Sequence, residues 1–88
     1  MPAQRAPQAG PDSIKAAENI RMIMARDRVT LRDLSAKLAD TDRPISPAQL
    51  SRLTSGQKSI DLDQLRAIST ALGMTMADAL NGVVAVVA

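Results

Sequence analysis

The chain has 88 residues, with eleven Lys+Arg against nine Asp+Glu and no Cys, His, Trp, Tyr or Phe. That is the length of one small domain, and it excludes a disulfide framework, a zinc site of Cys and His ligands, a thiol nucleophile and an imidazole base. The missing aromatic rings also remove the stacking platforms used by binders of RNA and single strands, which leaves duplex DNA and protein as partner classes.

The net charge of +2 hides a gradient. Residues 1–27 carry four bases and three acids, residues 28–58 six and three, and residues 59–88 one and three. From Arg43 to Ile60 there are three bases, Arg43, Arg52 and Lys58, and no acid. A phosphate-facing surface requires such a stretch, because a carboxylate there would repel the nucleic-acid backbone. A merely solvated face is the plainer reading of the same residues.

Residues 1–11 hold three Pro and one Gly without hydrophobic periodicity and are expected to form a disordered arm. They lack the apolar core of a signal peptide, and no apolar run approaches the about 20 residues of a membrane span. The expectation is a cytoplasmic protein without a membrane partner. Helix 1 is expected from about Ser13 to Asp27, with Ala16, Ala17, Ile20, Ile23 and Met24 on one face.

One signature then recurs four times: an apolar residue, a capping residue, two residues of any kind, Asp or Gln, and a further apolar residue. The instances are Val29-Thr30-x-x-Asp33-Leu34, Ile45-Ser46-x-x-Gln49-Leu50, Ile60-Asp61-x-x-Gln64-Leu65 and Met74-Thr75-x-x-Asp78-Ala79. Each reads as a helix start, in which a side-chain oxygen accepts from an orphan N–H, the third helical residue reaches back, and the flanking apolar pair forms a staple. Helix 2 then runs from Leu31 to about Ala39, burying Leu34 and Leu38, with Ser35 small enough for a close crossing. Helix 3 begins at Pro47, where the missing N–H costs nothing, points Leu50 and Leu53 inward, and ends before Gly56, expected to be a left-handed cap. Helix 4 covers Leu62 to Leu72, burying Leu65, Ile68 and Leu72, and stops at Gly73. Helix 5 covers Met76 to about Leu80 and yields to the turn signal Asn81-Gly82. The fold class is therefore all-α: five helices in residues 12–80, followed by an apolar tail over residues 81–88.

Helices 2 and 3, short and joined in the basic segment, suggest a helix-turn-helix. From Ile20 to Leu80 the chain resembles the lambda-repressor/Cro-like family, also called the xenobiotic-response-element family. The resemblance is carried by Ile20-Arg21-Met22-Ile23, Val29-Thr30-x-x-Asp33-Leu34-Ser35-x-Lys37-Leu38, Ile45-Ser46-x-x-Gln49-Leu50-Ser51-Arg52-Leu53-x-Ser55-Gly56-Gln57-Lys58, and Leu62-x-x-Leu65-x-x-Ile68-x-x-Ala71-Leu72-Gly73. It covers about two thirds of the chain and implies a dimeric, sequence-specific binder of duplex DNA that regulates transcription, reading the major groove with helix 3. Three departures stand out. Asp40 to Pro44 add five residues to the tight turn typical of the family, Leu31 replaces a polar phosphate-touching residue, and Pro47 and Ala48 occupy positions where relatives place base readers.

Carried over residue by residue, the resemblance implies DNA contacts at Thr30, Ser46, Pro47, Ala48, Gln49, Arg52, Ser55, Gln57 and Lys58, and Arg43 of the added loop is a further candidate. Gln49 serves either the Ser46 cap or an adenine edge. Arg52 has no acid three or four residues away, which favours a guanine or phosphate contact over a helical ion pair. Ala48 offers only a methyl to thymine. Ser55, Gln57 and Lys58 flank Gly56, where relatives grip the backbone, and a solvated lysine is the plain alternative for Lys58. Arg43 either touches DNA or pairs with Asp40 or Asp42.

The D-x-D pairs Asp40/Asp42 and Asp61/Asp63 are weak metal signals, and no nucleophile stands with a base, so neither metal, cofactor nor catalysis is expected. The tail Val83-Val84-Ala85-Val86-Val87-Ala88 is β-branched, uncharged and apolar on both faces, which predicts a homodimer formed through helix 5 and the tail. Two other assignments fit the same residues: an antitoxin or excision-control type of accessory DNA binder, and a helical protein-interaction module without DNA readout.

Overall fold

The computed structural model describes residues 9–82, and within them the chain forms α1 (Pro11–Asp27), α2 (Leu31–Leu38), α3 (Pro47–Thr54), α4 (Leu62–Ala71) and α5 (Met76–Asn81). All four repeated signatures are reciprocal capping boxes. The Asp33 N–H donates to Thr30 Oγ1 and the Thr30 N–H donates to Asp33 Oδ2, each at 3.0 Å. Ser46 and Gln49 exchange the same bonds at 3.2 Å, Asp61 and Gln64 at 2.7 and 3.0 Å, and Thr75 and Asp78 at 3.0 and 3.1 Å. Losing one such cap costs about 1 kcal/mol, a large share of what an eight-residue helix has to spare.

The apolar pairs that flank the boxes build the centre of the molecule. Leu34, Leu50, Leu65 and Ala79 lie in the core cluster, Ile45 is buried in it, and Val29, Ile60 and Met74 pack on its edge. Ile20 from α1 and Leu38, Leu53 and Ile68 complete the most buried part. Leu31 is half-buried against the same cluster. α1 packs on α5 and α3, α2 on α3 and α4, and α4 on α5.

Several boundaries differ from expectation. α1 begins at Pro11, which therefore belongs to the helical body and not to the arm; its fixed φ suits the first helical position, and the preceding Gly10 is extended. Ser13, the expected start, lies within the first turn of α1, where its Oγ accepts the Ile60 N–H at 2.9 Å and ties α1 to the approach to α4. Asn81 ends α5 and is not part of the tail, since the chain turns only at Gly82, with φ 86°. Residues 1–8 of the expected arm and 83–88 of the tail lie outside the described residues.

Two features had no signal in local sequence. Arg28 caps α1 in the left-handed region at φ 57°, ψ 43°, its N–H turned back to the Met24 and Ala25 carbonyls. Buried Asn19 donates from Nδ2 to the Ala79 carbonyl at 2.6 Å, fastening the six-residue α5 to α1.

The Thr30 backbone N–H, followed by its hydroxyl, holds the Asp33 carboxyl below its ordinary value of 3.8. A depressed folded pKa contributes stability that is complete above the unfolded value and is lost as pH falls through the lower folded one. A carboxyl-carbon NMR titration should therefore place the Asp33 midpoint below 3.8. A midpoint at or above that value would show that the α2 box does not persist in solution.

Candidate nucleic-acid interface

The face of α3 that points away from the core is settled by what lies beneath it. Leu50, Leu53 and Thr54 are buried, the Thr54 hydroxyl donating to the Leu50 carbonyl at 2.8 Å. Helical spacing then leaves Pro47, Ala48, Ser51, Arg52 and Ser55 together on the exposed side. Ser51 was not among the expected contacts, although its spacing of three from Ala48 and four from Pro47 and Ser55 puts it in the middle of this face.

The C-terminal end of α3 is rigidly finished. Gly56 adopts φ 79° and reverses the chain, so that the Gln57 and Lys58 N–H groups donate to the Arg52 carbonyl at 3.0 and 3.2 Å. The Ser55 hydroxyl donates to the same oxygen at 3.2 Å. A side chain at Gly56 would be strained by this backbone conformation. The side chains of Gln57 and Lys58 are exposed, at the end of the helix that carries Arg52.

Charge is available where it is needed. All nine acids of the sequence fall within the described residues, and only Asp27 and Asp63 of these join an ion pair there, with Arg26 and Arg43. Arg52 and Lys58 are thus exposed cations with no carboxylate partner among the described residues.

Gln49 is occupied: its Oε1 accepts the Ser46 N–H, and its own N–H donates to Ser46 Oγ. A bidentate amide contact to adenine needs that oxygen, so it would cost the capping bond, while the Nε2 donor stays free for a single contact. Ser46 and Thr30 are likewise exposed N-caps whose oxygens already accept within their boxes.

Arg43 departs from the group. It pairs with neither Asp40 nor Asp42; its guanidinium donates to Asp63 Oδ2 at 2.9 Å, near the start of α4. The reason is the shape of the inserted loop. The Thr41 hydroxyl donates to the Leu38 carbonyl at 2.7 Å, the Arg43 N–H donates to Thr41 Oγ1, and the Ser35 hydroxyl fastens the Ile45 carbonyl at 2.7 Å. The loop therefore folds back on α2 and opens a cleft of about 630 Å³ toward α4 that no α3 residue lines.

A family model and several solved structures place this arrangement among known proteins. Residues 19–83 match the family model described as the Cro/C1-type HTH DNA-binding domain. Among solved structures, the clp gene regulator ClgR from C. glutamicum is 30% identical, with a TM-score of 0.69, over 86% of this chain and 90% of that one. The hypothetical transcription factor NHTF from Neisseria shares the fold at 15% identity and a TM-score of 0.69, over 89% of this chain and 84% of that one. The P22 c2 repressor in complex with a synthetic operator shares it at 19% and 0.63, over 76% and 94%. No curated protein matches. The chain belongs to the Cro/C1-type helix-turn-helix DNA-binding domains, and it is a DNA-binding transcriptional regulator of that class.

Arg43 and Asp63 are half and three-quarters exposed at 50% and 74%, so their pair is worth no more than about 1 kcal/mol. Arg43→Ala should accordingly lower stability to urea by less than about 1 kcal/mol. A loss above about 2 kcal/mol would show that this pair fastens the loop.

Proposed function

We propose that the chain represses or activates transcription by binding a two-half-site duplex as a homodimer, with the exposed face of α3 in the major groove. The observation that carries the reading is Arg52: an exposed cation without a carboxylate partner among the described residues, on a helical face otherwise made of the small side chains of Pro47, Ala48, Ser51 and Ser55. A guanidinium so placed matches the O6 and N7 acceptors of guanine. Ala48 and Ser51 beside it offer a methyl for thymine and a hydroxyl for either base type. Gln49 contributes its free amide donor, and Pro47 lets the helix start close to the groove without an N–H to satisfy.

The same reading gives Ser55, Gln57 and Lys58 to the phosphates after α3, and the exposed hydroxyls of Thr30 and Ser46 to phosphates at the two helix starts. Arg43, which lines the cleft toward α4 and not the face of α3, is left out of the contact set. The chain acts in the cytoplasm and performs no catalysis; among the described residues no helix is long and apolar enough to cross a membrane.

Dimerisation is supported by the apolar tail that follows α5 and by Leu80, a large hydrophobic residue 37% exposed at the end of that helix. A two-fold pair joined there would set two copies of α3 about 34 Å apart, one turn of B-DNA.

Arg52→Ala should cost about 1–3 kcal/mol on a duplex selected from a random pool and relax preference at one base position. Lys58→Ala should weaken selected and random duplexes alike and flatten the log–log salt dependence by about 0.9. Equal losses on both duplexes for Arg52→Ala would remove it from the base readers. Removal of residues 82–88 should lower the mass in solution from dimer to monomer; a truncated protein that still dimerises would refute the tail's part in it.

A further inference from the structure

Among the described residues, Arg28 is the one residue other than glycine with positive φ. An L side chain in the left-handed region costs roughly 1 kcal/mol relative to glycine. Its task in the cap is done by the backbone: the Arg28 N–H reaches the Met24 and Ala25 carbonyls, and the Val29 N–H reaches Met24 at 2.8 Å. Glycine would make the same bonds without the strain, so the α1 cap alone does not account for an arginine.

The charges around it narrow the alternatives. Arg28 is exposed and joins no ion pair among the described residues. Its neighbour Asp27 is taken by Arg26, through bonds of 2.9 and 3.2 Å. Asp33 is taken by the Thr30 box. Arg28 and Arg32, both exposed, therefore flank Thr30 as two cations whose nearest acids in sequence are engaged elsewhere. Between them Leu31 opens α2 with a side chain half-buried against the core, which can donate nothing to a phosphate.

We propose that Arg28, seconded by Arg32, supplies the phosphate contact at the α2 end of the interface, and that the strained backbone at Arg28 is kept for this charge. The inference rests on the DNA-binding reading and moves the contact from the first residue of α2 to the residue that closes α1. Arg28 meets the sugar-phosphate backbone, so it adds affinity without base preference.

Two variants remove the charge while suiting the left-handed backbone: Arg28→Gly and Arg28→Asn. Each is to be measured with the full chain for melting temperature, and for affinity to a duplex selected by the wild type and to a random duplex, from about 50 to about 200 mM salt. Both variants should lose roughly tenfold in affinity on both duplexes, with a log–log salt slope shallower by about 0.9. Arg28→Gly should at the same time melt higher, by up to roughly 5 °C, so that the lost affinity cannot come from a damaged fold. Unchanged affinity and slope in both variants, with wild-type binding intact, would overturn the inference. A loss confined to the selected duplex would overturn it as well, by making Arg28 a base reader. A wild type that binds neither duplex would overturn the DNA-binding reading itself, and so separates the two failures.

Discussion

Four of the five helices depend on one repeated device, in which a side-chain oxygen and the backbone N–H three residues later close a box while the residues on either side enter the core. The device matters because the helices it starts are six to ten residues long, too short to persist alone. Without aromatic side chains the core consists of Ile, Leu, Met and Ala, which fill space but make no directional contacts. The boxes supply the missing direction. They fix where each helix begins, and the staple then decides which face turns inward, leaving the rest of α3 to face solvent.

The interface inherits both its rigidity and its economy from that arrangement. Gln49 closes the box that starts α3, so its carbonyl oxygen serves the fold, and the exposed face is left with Arg52 among small residues. Leu31 packs against the core and so offers no polar group at the start of α2. A domain of this size has few residues that can serve stability and recognition together. Two exposed cations without a carboxylate partner among the described residues, Arg28 after α1 and Lys58 after α3, sit where the backbone already closes a helix end.

Much of this was legible in the sequence because it is local. Caps, staples and the left-handed glycine at Gly56 depend on residues within one turn of each other, and all appear where spacing put them. What escaped are contacts across the chain. Asn19 reaches Ala79, Ser13 reaches Ile60, Ser35 reaches Ile45 across the inserted loop, and Arg43 finds Asp63 in place of the nearer Asp40 and Asp42. Arg28 escaped for another reason: a left-handed cap normally announces itself by glycine or asparagine, and an arginine gives no such signal. In the candidate site, the family pattern located α3 and its following turn, and helical spacing adds Ser51, which no motif position marks, to the exposed face.

The central claim is that α3 and the turns beside it form one continuous face toward duplex DNA. Following backbone amide NMR signals during titration with a selected duplex tests it most directly. The large shifts should fall at Arg28–Arg32 and at Ser46–Lys58, with the α4 amides near their free positions. Shifts concentrated on α4 and the loop at residues 40–44, with α3 silent, would contradict it.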